Sequence, residues 1–163
     1  KKAKEIIEKT INKKIKGFRA PRYQHPDYKL INELEILYDS SCNPTYIPGR
    51  YNNFFKTRKE SLEENVKIIP LSVYPVLRLP LFWLFFRNLS LIYSKLGTRL
   101  NKKFVCLVFH PWEFVDLKDF KIPFLIRRNT GNKLELKLDK YIKWCLKKNY
   151  TFKTMEDYLS KTL

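Results

Sequence analysis

The stretch Phe104-Val105-Cys106-Leu107-Val108-Phe109-His110 is a continuous apolar run that ends in a histidine. Its residue types favour β-structure, and an unbroken apolar run is typical of a strand that is covered on both faces in a parallel sheet. A residue directly after such a strand lies at the carboxyl end of the sheet, where α/β folds assemble their active sites. The run therefore predicts a buried strand over 104–109, and it makes His110 a candidate functional residue.

Arg19 is the second polar residue that the sequence places at the end of a strand. Because Pro21 disfavours helix at the residue before it, a short strand is predicted over Lys16–Ala20, with Arg19 near its carboxyl end. Two further strands are predicted over Tyr38–Ser41 and Val66–Val73. Arg19 and His110 are thus expected at the same edge of a sheet.

Helices are predicted between the strands, because apolar residues recur there at spacings of three and four. The clearest stripe consists of Leu134, Leu138, Tyr141, Ile142 and Cys145. The predicted helices are Lys1–Ile15, Pro26–Leu37, Leu134–Cys145 and a last one, capped by Thr154 and Asp157, that continues through Leu159; Leu81–Leu96 is predicted to be a helix or a buried hairpin. Strands that alternate with helices favour an α/β fold with a parallel sheet over a sandwich.

The length of 163 residues is that of one domain, so residues 1–163 are expected to form a single domain. The segment Asn43–Asn65 contains proline, glycine and paired asparagine with little periodicity, and it is predicted to be a long loop. Cys42, Cys106 and Cys145 are far apart and have no C-x-x-C spacing, so they are expected to be buried thiols.

The net charge of +17 favours binding to an anionic partner. The lysines and arginines of the chain, however, are scattered in small groups without an arginine-rich helix, zinc finger or RNA-binding signature. Nucleic-acid binding is therefore not expected as the main function. A basic module for nucleic acid or anionic membrane stays open as a weaker alternative.

No membrane span is expected, because the longest apolar block, Leu79–Phe86, is far shorter than the roughly 18 residues of a spanning helix. The segment Lys1–Ile15 has none of the regions of a secretory signal, which favours the cytoplasm over export and otherwise leaves the compartment open.

Three segments of the chain resemble motifs of a known enzyme family. Gly17-Phe18-Arg19-Ala20-Pro21 looks like the arginine motif of polysaccharide deacetylases, the NodB-homology family of carbohydrate esterases, and Tyr38-Asp39-Ser40-Ser41 followed by Pro44 resembles the family's next conserved segment. Val108-Phe109-His110-Pro111-Trp112-Glu113-Phe114 resembles its histidine motif, and the order and spacing agree. The form of the second and third motifs is similar to that of a bacterial and archaeal subgroup associated with exopolysaccharide biosynthesis.

The resemblance implies that the chain is the C-terminal portion of a distorted (β/α) barrel, a metal-dependent hydrolase of N-acetyl groups on a polysaccharide or amino sugar. The family's Asp-Asp or Asp-Val-Asp motif and its H-x-x-x-H motif do not occur here. The divalent metal, expected to be zinc, would therefore have its ligands outside this chain. The expected partner is an N-acetylated carbohydrate, and an incomplete barrel would also need an upstream segment or a second copy to cover its apolar edges.

The resemblance also assigns roles to single residues. His110 would be the general acid that protonates the departing amine, and Arg19 would pair with a catalytic aspartate that this chain lacks. Asp39 would hold the other ring nitrogen of His110. Trp112, Phe114 and Pro21 would line the substrate pocket.

Each role has a structural alternative. Arg19 can join a surface ion pair, Asp39 can be a turn residue bonded to its own backbone, and His110 can be bonded to a nearby backbone group. Trp112 and Phe114 can belong to the core, and Glu113 has no assigned role. The alternative for the whole chain is a split or decayed domain that keeps the fold and binds carbohydrate or a protein partner without hydrolysis, and the absence of the metal motifs supports it.

Overall fold

A computed structural model describes residues 1–160 of the chain. It contains short strands and helices, and a mixed α/β fold is confirmed. In chain order the elements are α1 (Lys2–Ile11), β1 (Gly17–Phe18), α2 (Tyr28–Glu33), β2 (Tyr38–Asp39), β3 (Tyr46–Ile47), β4 (Tyr51–Asn52), β5 (Ser61–Glu63), β6 (Val66–Ile68), α3 (Trp83–Asn88), α4 (Leu91–Leu100), α5 (Phe124–Arg127), α6 (Asn132–Lys147) and α7 (Met155–Leu159). The deacetylase-type barrel stays a prediction.

The chain divides into two compact units. Unit 1 comprises residues 1–43, 59–70 and the chain from 153 onward, and unit 2 comprises residues 44–58 and 71–152. Arg19 and Asp39 lie in unit 1, whereas His110 lies in unit 2. Each unit has its own hydrophobic cluster.

Unit 1 is built on a four-stranded sheet with the order β1-β2-β6-β5. The first three strands are parallel, as predicted, and β5 is antiparallel to β6. Tyr28 and Ile31 of α2 pack with Val66 and Ile68 of β6 to form the core of this unit. This packing fixes the carboxyl ends of β1 and β2, after which Arg19 and Ser40 follow.

The helices of unit 1 are shorter than predicted. The helix predicted over Lys1–Ile15 ends at Ile11, because Asn12 adopts the left-handed conformation with φ 51°. The helix predicted over Pro26–Leu37 begins instead at Tyr28, where the Asp27 side chain accepts hydrogen bonds from the first turn.

The predicted long loop over Asn43–Asn65 is wrong in its interior, because it contains three short strands. β3 pairs with β4 across a turn that contains Gly49, whose φ is +74°. β5 pairs with β6 across Glu64 and Asn65, both of which have positive φ. A two-residue connection with two positive φ angles is a typical hairpin turn. Such turns favour Asn, Asp or Gly, so the Glu at the first position gives no sequence signal for the turn.

Two of the predicted strands differ in the structure. The strand predicted over Val66–Val73 forms a ladder over Val66–Ile68 and ends before Pro70, which has no N–H to donate to a ladder; Val73 makes an isolated bridge with Pro80. The strand predicted over Phe104–Phe109 does not pair in a ladder. That segment is extended, and Cys106 exchanges hydrogen bonds with the backbone N–H and the hydroxyl of Ser72 at 3.0 and 2.9 Å.

Unit 2 is mainly helical. The segment predicted as a helix or hairpin over Leu81–Leu96 forms α3 and α4, and the stripe predicted over Leu134–Cys145 forms α6. Phe86 packs with Leu134, Tyr141 and Cys145 in the core of the unit. This core supports the segment that carries His110.

The three cysteines are free thiols; Cys106 and Cys145 are buried, as predicted, and Cys42 is partly exposed. Within residues 1–160, no helix is both long enough and apolar enough to cross a membrane.

Candidate functional site

His110 stands at the start of a tight 3-10 turn formed by Pro111–Phe114. Proline suits the first position of such a turn, since the N–H that it lacks would have no partner there. The turn closes through a hydrogen bond from the N–H of Glu113 to the carbonyl of His110 at 3.0 Å. It brings the Glu113 side chain back to the residue that precedes the turn.

The carboxylate of Glu113 holds both the backbone and the ring of His110. Its Oε1 accepts from the backbone N–H of His110 at 2.9 Å and lies 2.9 Å from ring atom Nδ1. A carboxylate only accepts hydrogen bonds, so we assign the proton of the neutral imidazole to Nδ1. Nε2 then carries the lone pair, and it can accept a proton and donate it again.

The second oxygen of Glu113 is held by Arg87 from helix α3. Nη1 of Arg87 donates to Oε2 at 2.7 Å, and both side chains are fully buried. Nη2 of Arg87 donates to the carbonyl of Ile126, which fixes the guanidinium further. Burial lowers the pKa of Arg87, and the Glu113 carboxylate acts in the opposite direction.

Aromatic rings surround the imidazole of His110. Trp112 stacks on it with a centroid distance of 5.5 Å and an interplanar angle of 24°, and Trp83 meets it edge-on at 6.3 Å. The His110 side chain nevertheless keeps 43% of its surface exposed. The ring is therefore oriented by its neighbours and still accessible to a ligand.

Arg19 follows β1 in unit 1 and is bound to the residue that follows the neighbouring strand. Its Nε donates to the carbonyl of Ser40 at 2.9 Å, and its Nη2 donates to the hydroxyl of Ser40 at 2.8 Å. The parallel register of Phe18 with Asp39 brings the two strand ends side by side. Two hydrogen bonds from one guanidinium restrict its orientation.

Asp39 is fully buried and bonded within unit 1. Its Oδ2 accepts from the N–H of Ser41 at 3.0 Å and from the hydroxyl of Tyr28 at 3.1 Å, and its Oδ1 accepts from the Ser41 hydroxyl. The bond to Ser41 is the turn bond that the sequence analysis gave as the alternative role of Asp39. Burial, and next the Asp39 carboxylate, raise the pKa of Tyr28.

The predicted site residues fall into two groups, one in each unit. Arg19, Pro21 and Asp39 lie in unit 1, and His110, Trp112 and Phe114 lie in unit 2. Within unit 2, Trp112 stacks on the His110 ring. Phe114 packs against Phe109, with the two ring centroids 6.2 Å apart. The predicted contact between Asp39 and His110 stays a prediction, and the carboxylate on Nδ1 in unit 2 is that of Glu113.

The described residues do not fit the expected divalent metal. Within residues 1–160, no three His, Cys, Asp or Glu side chains are grouped closely enough to hold a metal ion. The expectation that the metal ligands lie outside this chain stays a prediction.

The sequence analysis missed Glu113 and Arg87. The spacing of His110 and Glu113, with proline between them, is that of a residue before a turn and a carboxylate that folds back onto it. Arg87 follows directly on the apolar run of 79–86, and an arginine buried with such a helix needs a partner. These two signals together could have predicted the pair.

Comparison of the chain with protein-family models, with curated proteins and with solved structures finds no match.

Proposed function

We propose that the chain belongs to a polysaccharide deacetylase and supplies the proton-transferring histidine of that enzyme. The reaction would be the hydrolysis of N-acetyl groups on a polysaccharide or amino sugar. The observation that carries the proposal is the fixed imidazole of His110, with Nδ1 on the buried carboxylate of Glu113 and its ring partly exposed. The three motifs support the same assignment.

His110 would act as the general acid. An amide nitrogen leaves poorly as an anion, so it needs a proton while its bond to the carbonyl carbon breaks. The protonated imidazole would donate from Nε2 to that nitrogen, and the products would be acetate and the free amine. The contact of Nδ1 with Glu113 would hold the ring in place while Nε2 transfers the proton.

Arg19 would orient a carboxylate of the complete active site. Its guanidinium is already held by two bonds to Ser40, so less rotational freedom is lost when it binds an anionic group. Trp112, which is 37% exposed, would form an apolar wall beside the acetyl group. Phe114 would extend this wall.

A second candidate is a non-catalytic deacetylase-like domain that binds carbohydrate or a protein. The observation in its favour is that no group of metal-binding side chains is found within residues 1–160. In that case Arg19, Asp39 and His110 would have only structural roles, and their substitution would change stability without changing any reaction.

The test is acetate release by the full-length product of the gene that encodes this chain. The purified protein is incubated with N-acetylglucosamine oligomers, with zinc supplied and, in a parallel sample, after treatment with a chelator. The proposal predicts acetate release that is lost on chelation and restored by zinc. Binding of the oligomers without acetate release under both conditions would favour the non-catalytic domain.

A further inference from the structure

The positive charge of the protein is concentrated in unit 2. Unit 2 contains 19 lysines and arginines against 5 aspartates and glutamates, whereas unit 1 contains 14 against 11. Of the five acidic residues, Glu113 is buried against Arg87, and Asp116 and Asp139 lie near Lys118 and Lys143. Unit 2 therefore presents a strongly positive surface of its own.

Helix α6 separates its charges around its axis. At about 100° per residue, Lys140 and Lys147 lie within about 60° of Trp144, whereas Glu135 and Asp139 lie about 140–180° away from it. The two lysines and Trp144 thus share one side of the helix, and the acidic residues share another. A helix surface sorted in this way can attract an anion along one side only.

Helix α4 adds two cations to the side that carries Trp144. Nζ of Lys95 lies 5.6 Å and Cζ of Arg99 lies 5.4 Å from the centre of a Trp144 ring. Tyr150 continues the aromatic group, with its ring 5.8 Å from that of Trp144. Contact with the indole restricts Lys95 and Arg99, which reduces the entropy that they lose when they bind an anion.

The four cations are available for a ligand. Within residues 1–160, none of Lys95, Arg99, Lys140 and Lys147 forms an ion pair with a carboxylate. Arg99, Lys140 and Lys147 are exposed. We call these four residues, together with Trp144, the basic flank of unit 2.

We propose that the basic flank binds an acidic polysaccharide in which carboxylate-bearing sugars alternate with N-acetylated ones. The N-acetylated part of this substrate class rests on the proposed function, whereas the binding of a polyanion does not. Carboxylates spaced along such a chain would meet cations spaced along α4 and α6. The apolar faces of the sugar rings would pack against Tyr150, which is 36% exposed.

A glycan suits the basic flank better than a nucleic-acid strand. Strands without sequence preference are bound on aromatic rings that accept stacked bases. Here Lys95 and Arg99 lie against the Trp144 ring, and Tyr150 beside it is a single further ring, so successive bases would have no row of rings to stack on. A carboxylate-bearing glycan needs the spaced cations and no such row.

The test is binding of hyaluronan oligosaccharides, which alternate a uronate with N-acetylglucosamine, to the purified chain. The flank variant carries Arg99→Glu, Lys140→Glu and Lys147→Glu, and a milder variant carries Gln at the same three positions. The control carries Lys13→Glu, Lys14→Glu and Lys29→Glu in unit 1, which are exposed and give the same change in net charge. We expect the flank variant to bind at least about tenfold more weakly, with a smaller loss in the Gln variant and little change in the control.

Three outcomes would overturn the proposal. In the first, the unmodified chain fails to bind hyaluronan, and in the second, the flank and control variants lose the same affinity for it. In the third outcome the flank variant loses affinity for a single-stranded oligothymidylate but not for hyaluronan. The last outcome would assign the flank to nucleic acid. Acetate release from neutral N-acetylglucosamine oligomers is measured separately on the full-length product, with zinc supplied and with the same flank and control substitutions. Its failure overturns the proposed function and leaves the binding result standing, so the two failures are distinguishable.

Discussion

Glu113 joins the ring of His110 to a buried cation: one carboxylate oxygen lies 2.9 Å from Nδ1 of the histidine, and the other accepts from Arg87 at 2.7 Å. The arginine neutralises a carboxylate that would otherwise be costly to bury. The carboxylate in turn fixes the orientation of a ring that remains accessible. Stability and the candidate chemistry therefore depend on the same buried pair.

Replacement of Arg87 tests this dependence. The Arg87→Met variant leaves the Glu113 carboxylate buried without its cation, and we expect the free energy of unfolding to fall by about 3–5 kcal/mol. Urea unfolding, followed by circular dichroism, measures the change. The matched control is Lys118→Met, which removes an exposed ion pair with Asp116 and is expected to cost less than about 1 kcal/mol. An equal, small loss in both variants would show that the buried pair does not stabilise unit 2.

Gly131 also supports the turn that contains Glu113, through its backbone, and its replacement tests that support. It has φ +63°, its N–H donates to the carbonyl of Glu113 at 2.9 Å, and an added Cβ would lie 3.0 Å from the backbone nitrogen of Asp116. We expect Gly131→Ala to lower the free energy of unfolding by about 1–3 kcal/mol.

Gly49→Ala is the control for the backbone angle alone. Gly49 also has positive φ, at +74°, but an added Cβ would meet no atom within 4 Å. We expect Gly49→Ala to lower the free energy of unfolding by about 1 kcal/mol. If Gly49→Ala proves as costly as Gly131→Ala, crowding against Asp116 contributes nothing.

Tyr28 makes stability depend on alkaline pH. Its pKa in the folded chain is raised above the ordinary value of 10.0, first by burial and then by Asp39. Above pH 10 the unfolded chain therefore loses this proton while the folded chain keeps it, so the free energy of unfolding decreases as pH rises. We expect Tyr28→Phe to lose stability less steeply than the unmodified chain in urea unfolding between about pH 8 and 11. Parallel pH curves for the two proteins would contradict the assignment.

Local signals in the sequence predicted a large part of the fold. The apolar stripe over Leu134–Cys145 predicted α6, and Thr154 does cap the last helix by accepting from the N–H of Asp157 at 3.0 Å. The strand ends that carry Arg19 and Asp39 were also predicted, because Pro21 and the apolar pattern mark them. These features depend on residues only a few positions apart.

The features that were missed depend on contacts distant in sequence. The apolar run at 104–109 indicates burial, yet it cannot show whether a neighbouring strand is available, and here Cys106 bonds to Ser72 instead. Arg87 and Glu113 are 26 positions apart, and only the tertiary packing of α3 brings them together. The bond of Glu113 to His110 is local, and the spacing of the two residues could have indicated it, whereas the bond of Glu113 to Arg87 could not be inferred from neighbouring residues.

The most direct measurement of the central claim compares acetate release by His110→Asn and His25→Asn variants of the full-length product. His25 is the other histidine of the chain and lies in an exposed loop of unit 1, so it controls for the loss of a histidine. If His110 is the general acid, His110→Asn lowers kcat by about 10²–10⁴-fold, while His25→Asn leaves it unchanged. Equal acetate release by the two variants would contradict the assignment of His110 as the proton donor.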